Sequence, residues 1–332
     1  MTANWATASQ RRHTQAAHWL RQLALFFCLL FTPGWALADN RNDLTPAFAL
    51  QVLVVGSENT AFNLHFIDEL RRRAGPKIEV SLWSPNLAAR KADEQVVVIA
   101  LGRQALSAAL AENPDAPLLT LMATSDQLYD VNLDVPHRSA IFHDPPLLQQ
   151  ALLGRLILPQ ASRVALLIQP GHEPRYQAVI AQLAERGFEA RLFVVDGPGN
   201  LISGLSRALL FADFILGTPD DEIFNPRTIK HILLTAYRRN RIVIGPSRPF
   251  VSAGALASTY TPLSVTFDET LLYLNYYQNH GAFPAPGWPE RFAIDVNRQV
   301  AQSLNVPVPS NEQLETRLRR LLHDNKGERD EE

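Results

Sequence analysis

The side chains with chemical potential in this chain sit directly behind short apolar runs. Gly56-Ser57-Glu58-Asn59-Thr60 follows one such run, Gly102-Arg103-Gln104 a second, and Ala123-Thr124-Ser125-Asp126 a third. Further along come Pro170-Gly171-His172-Glu173, then Gly217-Thr218-Pro219-Asp220-Asp221-Glu222, then Gly245-Pro246-Ser247-Arg248. Hydroxyls and free backbone N–H groups ahead of a helix make an anion site, so Ser57, Asn59 and Thr60 either bind a ligand or cap the helix they precede. Asp220 and Asp221 form a carboxylate pair that either does acid/base work, accepts a ligand ammonium or caps the following helix. Arg248 either clamps a ligand carboxylate or makes a surface salt bridge. Trp83, Tyr129, Phe250 and Tyr260 offer ring faces for stacking, or belong to the core and its rim.

Several chemistries lack their residues. No G-x-G-x-x-G follows the first apolar run, and no G-x-x-x-x-G-K-[ST] occurs, so dinucleotide and P-loop readings fail. No G-x-S-x-G elbow is present. His137 and His143 come nearest to a cluster but lack H-E-x-x-H spacing, so no metal and no cofactor is expected. No nucleophile–base pair is visible, and a non-enzyme is expected.

The elements that position these loops alternate strand with helix. Strands are expected at Leu50–Val55, Val80–Trp83, Val96–Leu101, Leu118–Met122, Val164–Ile168, Leu192–Val195, Phe214–Leu216 and Ile242–Ile244. Several are unbroken Val/Ile/Leu runs, the signature of parallel strands covered on both faces. Helices are expected at Asn63–Ala74, Gln104–Glu112, Pro145–Leu158, Arg175–Arg186, Leu201–Phe211 and Pro226–Arg239, the last with Asn225 as N-cap and Pro226 at N1. The series restarts at Val164 after a crossover, Asp130–Asp144. The α/β expectation is therefore two Rossmann-like lobes with parallel sheets. After Ile244, Val251–Tyr260 reads as small and extended. A helix over Phe267–Asn279 follows, then a proline-rich loop and final helices at Asn297–Leu304 and Asn311–Leu322. In doubly wound sheets, ligands sit beyond the carboxyl ends of the strands, which is where the loops above lie.

The first 38 residues read as a secretory signal peptide. Arg11, Arg12 and Arg21 precede the apolar run Leu23–Phe31, Pro33-Gly34 breaks it, and Ala36-Leu37-Ala38 offers a cleavage site. The run is too short to span a bilayer, which needs roughly 20 apolar residues. Cys28, the one cysteine, follows Leu25-Phe26-Phe27, a poor lipobox. Export to a periplasm without a lipid anchor is expected. Without the three leader arginines, 28 basic residues face 33 acidic ones, a net charge of about −5. That balance argues against a nucleic-acid partner.

The second half resembles a known family. The stretch Pro145–Pro159 (PPLLQQALLGRLILP) leads into Ser162-Arg163-Val164. Ala212-Asp213-Phe214-Ile215 precedes Thr218-Pro219-Asp220, with Asn225 and Thr228-Ile229 beyond. Phe250–Ala257 and the series Phe292–Asn297, Ala301, Leu304–Pro307 continue the pattern. Together they are similar to the substrate-binding proteins of TrpX-like ABC transport systems, over roughly Leu50 to Ser310. The resemblance implies a type I periplasmic-binding-protein architecture. One lobe would comprise residues 48–140 plus 248–289, the other 141–247 plus 290–322, with a disordered tail at 323–332. It implies a monomer that captures an amino acid or similar small polar ligand for an inner-membrane ABC permease. An accessory or sensor protein, working with an outer-membrane receptor or a signalling protein, is the alternative. By motif position the ligand would meet Ser57, Thr124 and Ser125 from the first lobe, with Asn59 and Thr60 added as candidates from their loop. Asp220, Ser247 and Arg248 would meet it from the second lobe or the hinge, with Asp221 and Tyr260 added as candidates from the carboxylate pair and the ring faces. Two departures fall near that face: Pro262–Thr266 lacks the family's helix-opening glycine, and Thr124–Gln127 replaces an aliphatic-Pro segment.

Overall fold

The apolar runs alternate their side chains between two covered faces, and this builds two parallel sheets. The structure, a computed structural model, describes residues 50–84 and 96–327. The signal-peptide reading of residues 1–38 lies outside them, as do residues 328–332 of the tail.

The first sheet holds β1 (Leu50–Val55), β2 (Ile78–Leu82), β3 (Val96–Leu101), β4 (Leu118–Leu121) and β5 (Arg138–Ala140) in the order β2-β1-β3-β4-β5. All its pairings are parallel. Leu50, Val52 and Val54 point with Val97, Ile99 and Leu101 into one cluster, under α1 (Thr60–Ala74). Val98, Ala100 and Leu118 point the other way, against α2 (Arg103–Glu112).

The second sheet runs β11-β10-β9-β8-β6-β7. Its strands are β6 (Arg163–Ile168), β7 (Glu189–Val194), β8 (Phe214–Leu216), β9 (Ile242–Ile244), β10 (Ala257–Tyr260) and β11 (Ala293–Val296), with only the β10–β11 pair antiparallel. One face is covered by α3 (Leu147–Ile157), α4 (Glu173–Glu185) and α10 (Asn311–Gly327). The other is covered by α5 (Gly197–Phe211) and α6 (Ile229–Arg238). Gly154 on α3 lets the helix settle on β8: a Cβ there would lie 2.6 Å from the Phe214 ring. Between β9 and β10 lies α7 (Arg248–Ala253), and α9 (Arg298–Ser303) follows β11.

The chain passes between the sheets more than once. Ile141–Pro146 leads from β5 into α3. After β10 the chain returns as α8 (Leu263–His280), whose Phe267 and Leu274 join the first sheet's core, with Phe267 and Phe66 rings 5.0 Å apart. Residues 281–292 then lead back to β11. The outgoing and returning segments are bonded together: Phe142 N donates to Gly287 O at 2.9 Å, and Ser139 Oγ to Pro284 O at 2.7 Å.

Four sequence expectations are corrected. Residues 248–260, assigned to the first lobe, complete the second sheet, because β10 pairs with β9 and β11. Buried Gln150 fixes this arrangement: its Oε1 accepts from Thr259 N at 2.8 Å, and its Nε2 donates to Gly245 O at 2.7 Å and Ser258 Oγ at 2.9 Å. Val251–Tyr260 is not uniformly extended, since α7 precedes the strand. The crossover Asp130–Asp144 contains β5. The tail expected to be disordered from 323 continues α10 to Gly327, where Leu314 and Leu318 have already anchored that helix in the core.

Candidate functional site

The carboxyl ends of both sheets face one gap, and the loops there build it. Behind β4, Met122 takes a left-handed φ of 57°, which turns the chain sharply into Thr124–Gln127. Thr124 and Gln127 bond reciprocally: Thr124 N donates to Gln127 Oε1 at 3.1 Å, and Gln127 N to Thr124 Oγ1 at 3.2 Å. This is the geometry of a capping box, and it orients the Gln127 amide. Its Nε2 then donates to Asp221 Oδ2 at 2.6 Å, on the loop behind β8 of the other sheet.

A second bridge is ionic. Arg175, in the first turn of α4, stands 3.2 Å from Asp126 Oδ1 and 2.9 Å from Asp130 Oδ2. Its guanidinium lies 4.9 Å from the Tyr129 ring centroid, a cation–π distance. Tyr176 adds a long hydroxyl contact, 3.4 Å, to Asp126 Oδ1. Burial pushes the Tyr176 phenol up, and the carboxylates of Asp126 and Asp220 push it further.

Asp126 and Arg175 line two cavities. The outer chamber, about 520 Å³, is walled by the loops behind β3, β4, β6 and β8, with Arg103, Gln127, His172 and Asp221 among its lining. The hinge-side chamber, about 290 Å³, is walled by the chain crossings at Asp144–Pro146 and Trp288, together with Ser125, Tyr129, Tyr176 and Pro219.

Asp220 and Asp221 have different environments. Asp220 is buried and works as a scaffold. Its Oδ1 accepts from Gln169 Nε2 at 2.8 Å and from Glu222 N at 3.1 Å. His172 Nδ1 approaches its Oδ2 at 3.4 Å, an ion-pair separation without hydrogen-bond geometry. Asp221 faces the outer chamber. Burial raises its pKa, the Gln127 bond opposes the rise, and the carboxylates of Asp126, Asp220 and Glu222 add to it. Asp144 is buried at the crossing. Its oxygens accept from Ser125 N at 2.6 Å and Ser125 Oγ at 2.7 Å. Burial nevertheless raises its pKa to about 6, with the Ser125 bonds pulling it back.

Of the ligand contacts expected from sequence, the fold brings Ser125, Asp220 and Asp221 to the chambers, with Thr124 as the brace of Gln127; Asp126 and Tyr129, singled out by loop and by ring, line them as well. Ser57, Asn59 and Thr60 line neither chamber. Asn59 Oδ1 caps α1 by accepting from Phe62 N at 3.0 Å, and Ser57 Oγ bonds Asn63 Oδ1 at 2.9 Å. Ser247, Arg248 and Tyr260 also line neither chamber. Arg248 Nε donates to Asp295 Oδ2 at 3.3 Å, and its guanidinium lies 5.0 Å from the Tyr260 ring centroid. Sequence reasoning missed Gln127, Gln169, Arg175, Tyr176 and Asp144 as site residues. The T-x-x-Q spacing of Thr124–Gln127 was a usable signal for the first. Arg175 is the first residue of the helix expected at Arg175–Arg186, and nothing local distinguishes it.

No family model matches the chain, and no curated protein sequence matches it. Solved structures do. The ligand-free, open structure of a substrate-binding protein with adhesive properties from Clostridium difficile matches at a TM-score of 0.61 and 15% identity, over 79% of this chain and 96% of that one. An ABC domain in complex with L-Trp from Streptococcus pneumonia gives 0.53 at 15% identity, over 80% of this chain and 98% of that one. A conserved domain protein from Vibrio cholerae gives 0.53 at 16% identity, over 79% and 95%. The likeness at this identity is one of fold. The two mostly parallel sheets, joined by repeated crossings, form the type I periplasmic-binding-protein fold.

Proposed function

We propose that this protein is the ligand-capturing component of an ABC-type importer: an exported binding protein that holds a small polar molecule, of amino-acid size, between its two lobes. The observation that carries the reading is the pair of chambers whose walls come from both sheets. A molecule touching both walls stabilises the closed arrangement over the open one, by as much as its affinity differs between them. The fold shared with solved substrate-binding proteins supports this reading. The engaged state of the wall side chains favours binding over catalysis, since Asp220 spends its carboxylate on Gln169 and Glu222. None of the described helices is long and apolar enough to cross a membrane.

The test is native mass spectrometry of the protein recovered from its own host, followed by a melting-temperature screen of small molecules. A co-purifying small molecule that raises the melting temperature is the expected result. Protein that carries nothing and is stabilised by nothing sinks the reading. Receipt of the ligand by a permease is tested by uptake in cells lacking the gene. Unchanged uptake, with altered receptor signalling instead, would move the protein to the accessory or sensor role.

A further inference from the structure

The hinge-side chamber contains a carboxylate, Asp144, that no cation among the described residues answers. Asp144 is 6% exposed, and its Ser125 partners are both neutral donors. Among the described residues, the one cation lining this chamber is Arg175, which Asp126 and Asp130 already hold. A buried charge without a counter-charge is costly, so such a group marks a place where a ligand's opposite charge is stabilising. The outer chamber has the same bias: Asp126, Asp130, Asp220, Asp221 and Glu222 outnumber Arg103 and Arg175.

Aromatic side chains share the chamber's lining with Asp144. Tyr129, Tyr176 and Trp288 line the chamber. Trp288 is held by the Phe142 ring at 4.7 Å yet stays 42% exposed. Tyr129 already receives the Arg175 guanidinium, so the chain itself shows that this ring accepts a cation. A space of about 290 Å³ is too large for a bare metal ion and suits a small organic molecule.

We infer that the cleft takes an organic cation, an alkylammonium or quaternary ammonium compound, whose charged head docks in the hinge-side chamber between Asp144 and the faces of Tyr129 and Trp288. This rests on the interlobe capture proposed above and narrows it to a charge class. An anionic head would meet Asp126 and Asp144 with no uncommitted cation, which opposes its binding.

The test is calorimetric titration of the exported protein with choline and with its neutral carbon isostere, 3,3-dimethylbutan-1-ol. Choline is expected to bind about tenfold or more tightly than the isostere, the discrimination expected of a desolvated cation–π and carboxylate site. Asp144→Asn is expected to remove that preference while the isostere binds as before. Trp288→Leu, a change at a half-exposed ring, gives the same reading should Asp144→Asn not fold. Equal binding of the two probes, or a preference that survives both variants, overturns the inference. If no alkylammonium binds but a neutral or anionic compound raises the melting temperature, the charge class is wrong and interlobe capture stands. If no compound of any class does so, capture itself fails, and this inference with it.

Discussion

Arg175 and Asp126 meet 3.2 Å apart across the gap between the two sheets, and both line both chambers. Their side chains are only 18% and 12% exposed. Arg175 belongs to the helix behind β6 and Asp126 to the loop behind β4, so the lobes cannot separate without parting them. Gln127 and Asp221 make a second, neutral–ionic bridge beside the first.

Arg175→Met removes the charge and keeps much of the bulk. It leaves the Asp126 carboxylate part-buried and unanswered, a loss of about 1–3 kcal/mol. The melting temperature of the ligand-free protein is expected to fall and its X-ray scattering radius of gyration to rise. An unchanged radius would mean that this pair does not hold the lobes together.

Gln127 and Asp221 are expected to be coupled. A double-mutant cycle with Gln127→Ala and Asp221→Ala, read by urea unfolding, should give an interaction of about 0.5–1 kcal/mol. Strict additivity would show that the 2.6 Å contact contributes nothing in solution.

Asp144 makes stability depend on pH in an unusual direction. Burial holds its carboxyl at about 6 in the folded chain, against about 3.9 when unfolded. The folded state binds the proton more tightly, so this group's contribution is full below about pH 4 and is lost as pH rises through 6. Asp144→Asn cannot ionise. It should be more stable than the parent by about 2–3 kcal/mol at pH 8 and by little at pH 4. Denaturant unfolding at the two pH values reads the difference, and an equal shift at both would contradict the assignment.

Gln150→Leu should be severe. The substitution leaves Thr259 N and Gly245 O without the Gln150 amide inside the protein and removes the donor to Ser258 Oγ, whose own hydroxyl keeps its bond to Thr259 O. The expected cost is about 2–4 kcal/mol. A loss under about 1 kcal/mol would mean that other groups or water take up these bonds.

Asn59→Ala tests the other end of the first lobe. Loss of the cap on α1 should cost about 1 kcal/mol, as for a typical N-cap. Ligand affinity should be unchanged, since Asn59 lines neither chamber. A selective loss of affinity would return the loop behind β1 to the binding surface.

Much of the architecture was legible in the residues. Leu50–Val55 and Val96–Leu101 read as strands because both faces are covered, and such strands are apolar throughout. The rule that ligands lie beyond strand carboxyl ends points to the loops of Ser125, Asp220 and Asp221, which line the two chambers. β5 and β11 were not read as strands. Arg138–Ala140 and Ala293–Val296 are short, and their identity as strands comes from neighbours: β4 in one case and β10 in the other. The lobe boundary at 248 failed for the same reason, since β10 is tied to the second sheet by Gln150, more than a hundred positions earlier.

What the sequence determined by itself is the sheet-and-helix alternation, its restart at the second lobe and the loops that must end near one gap, because these follow from local periodicity and chain connectivity. The tertiary structure alone decided which of those loops meet. The 45-residue separation of Arg175 from Asp130, and the 94-residue separation of Gln127 from Asp221, leave no local pattern to read. Such pairs exist only once two sheets have folded and turned their carboxyl ends toward each other.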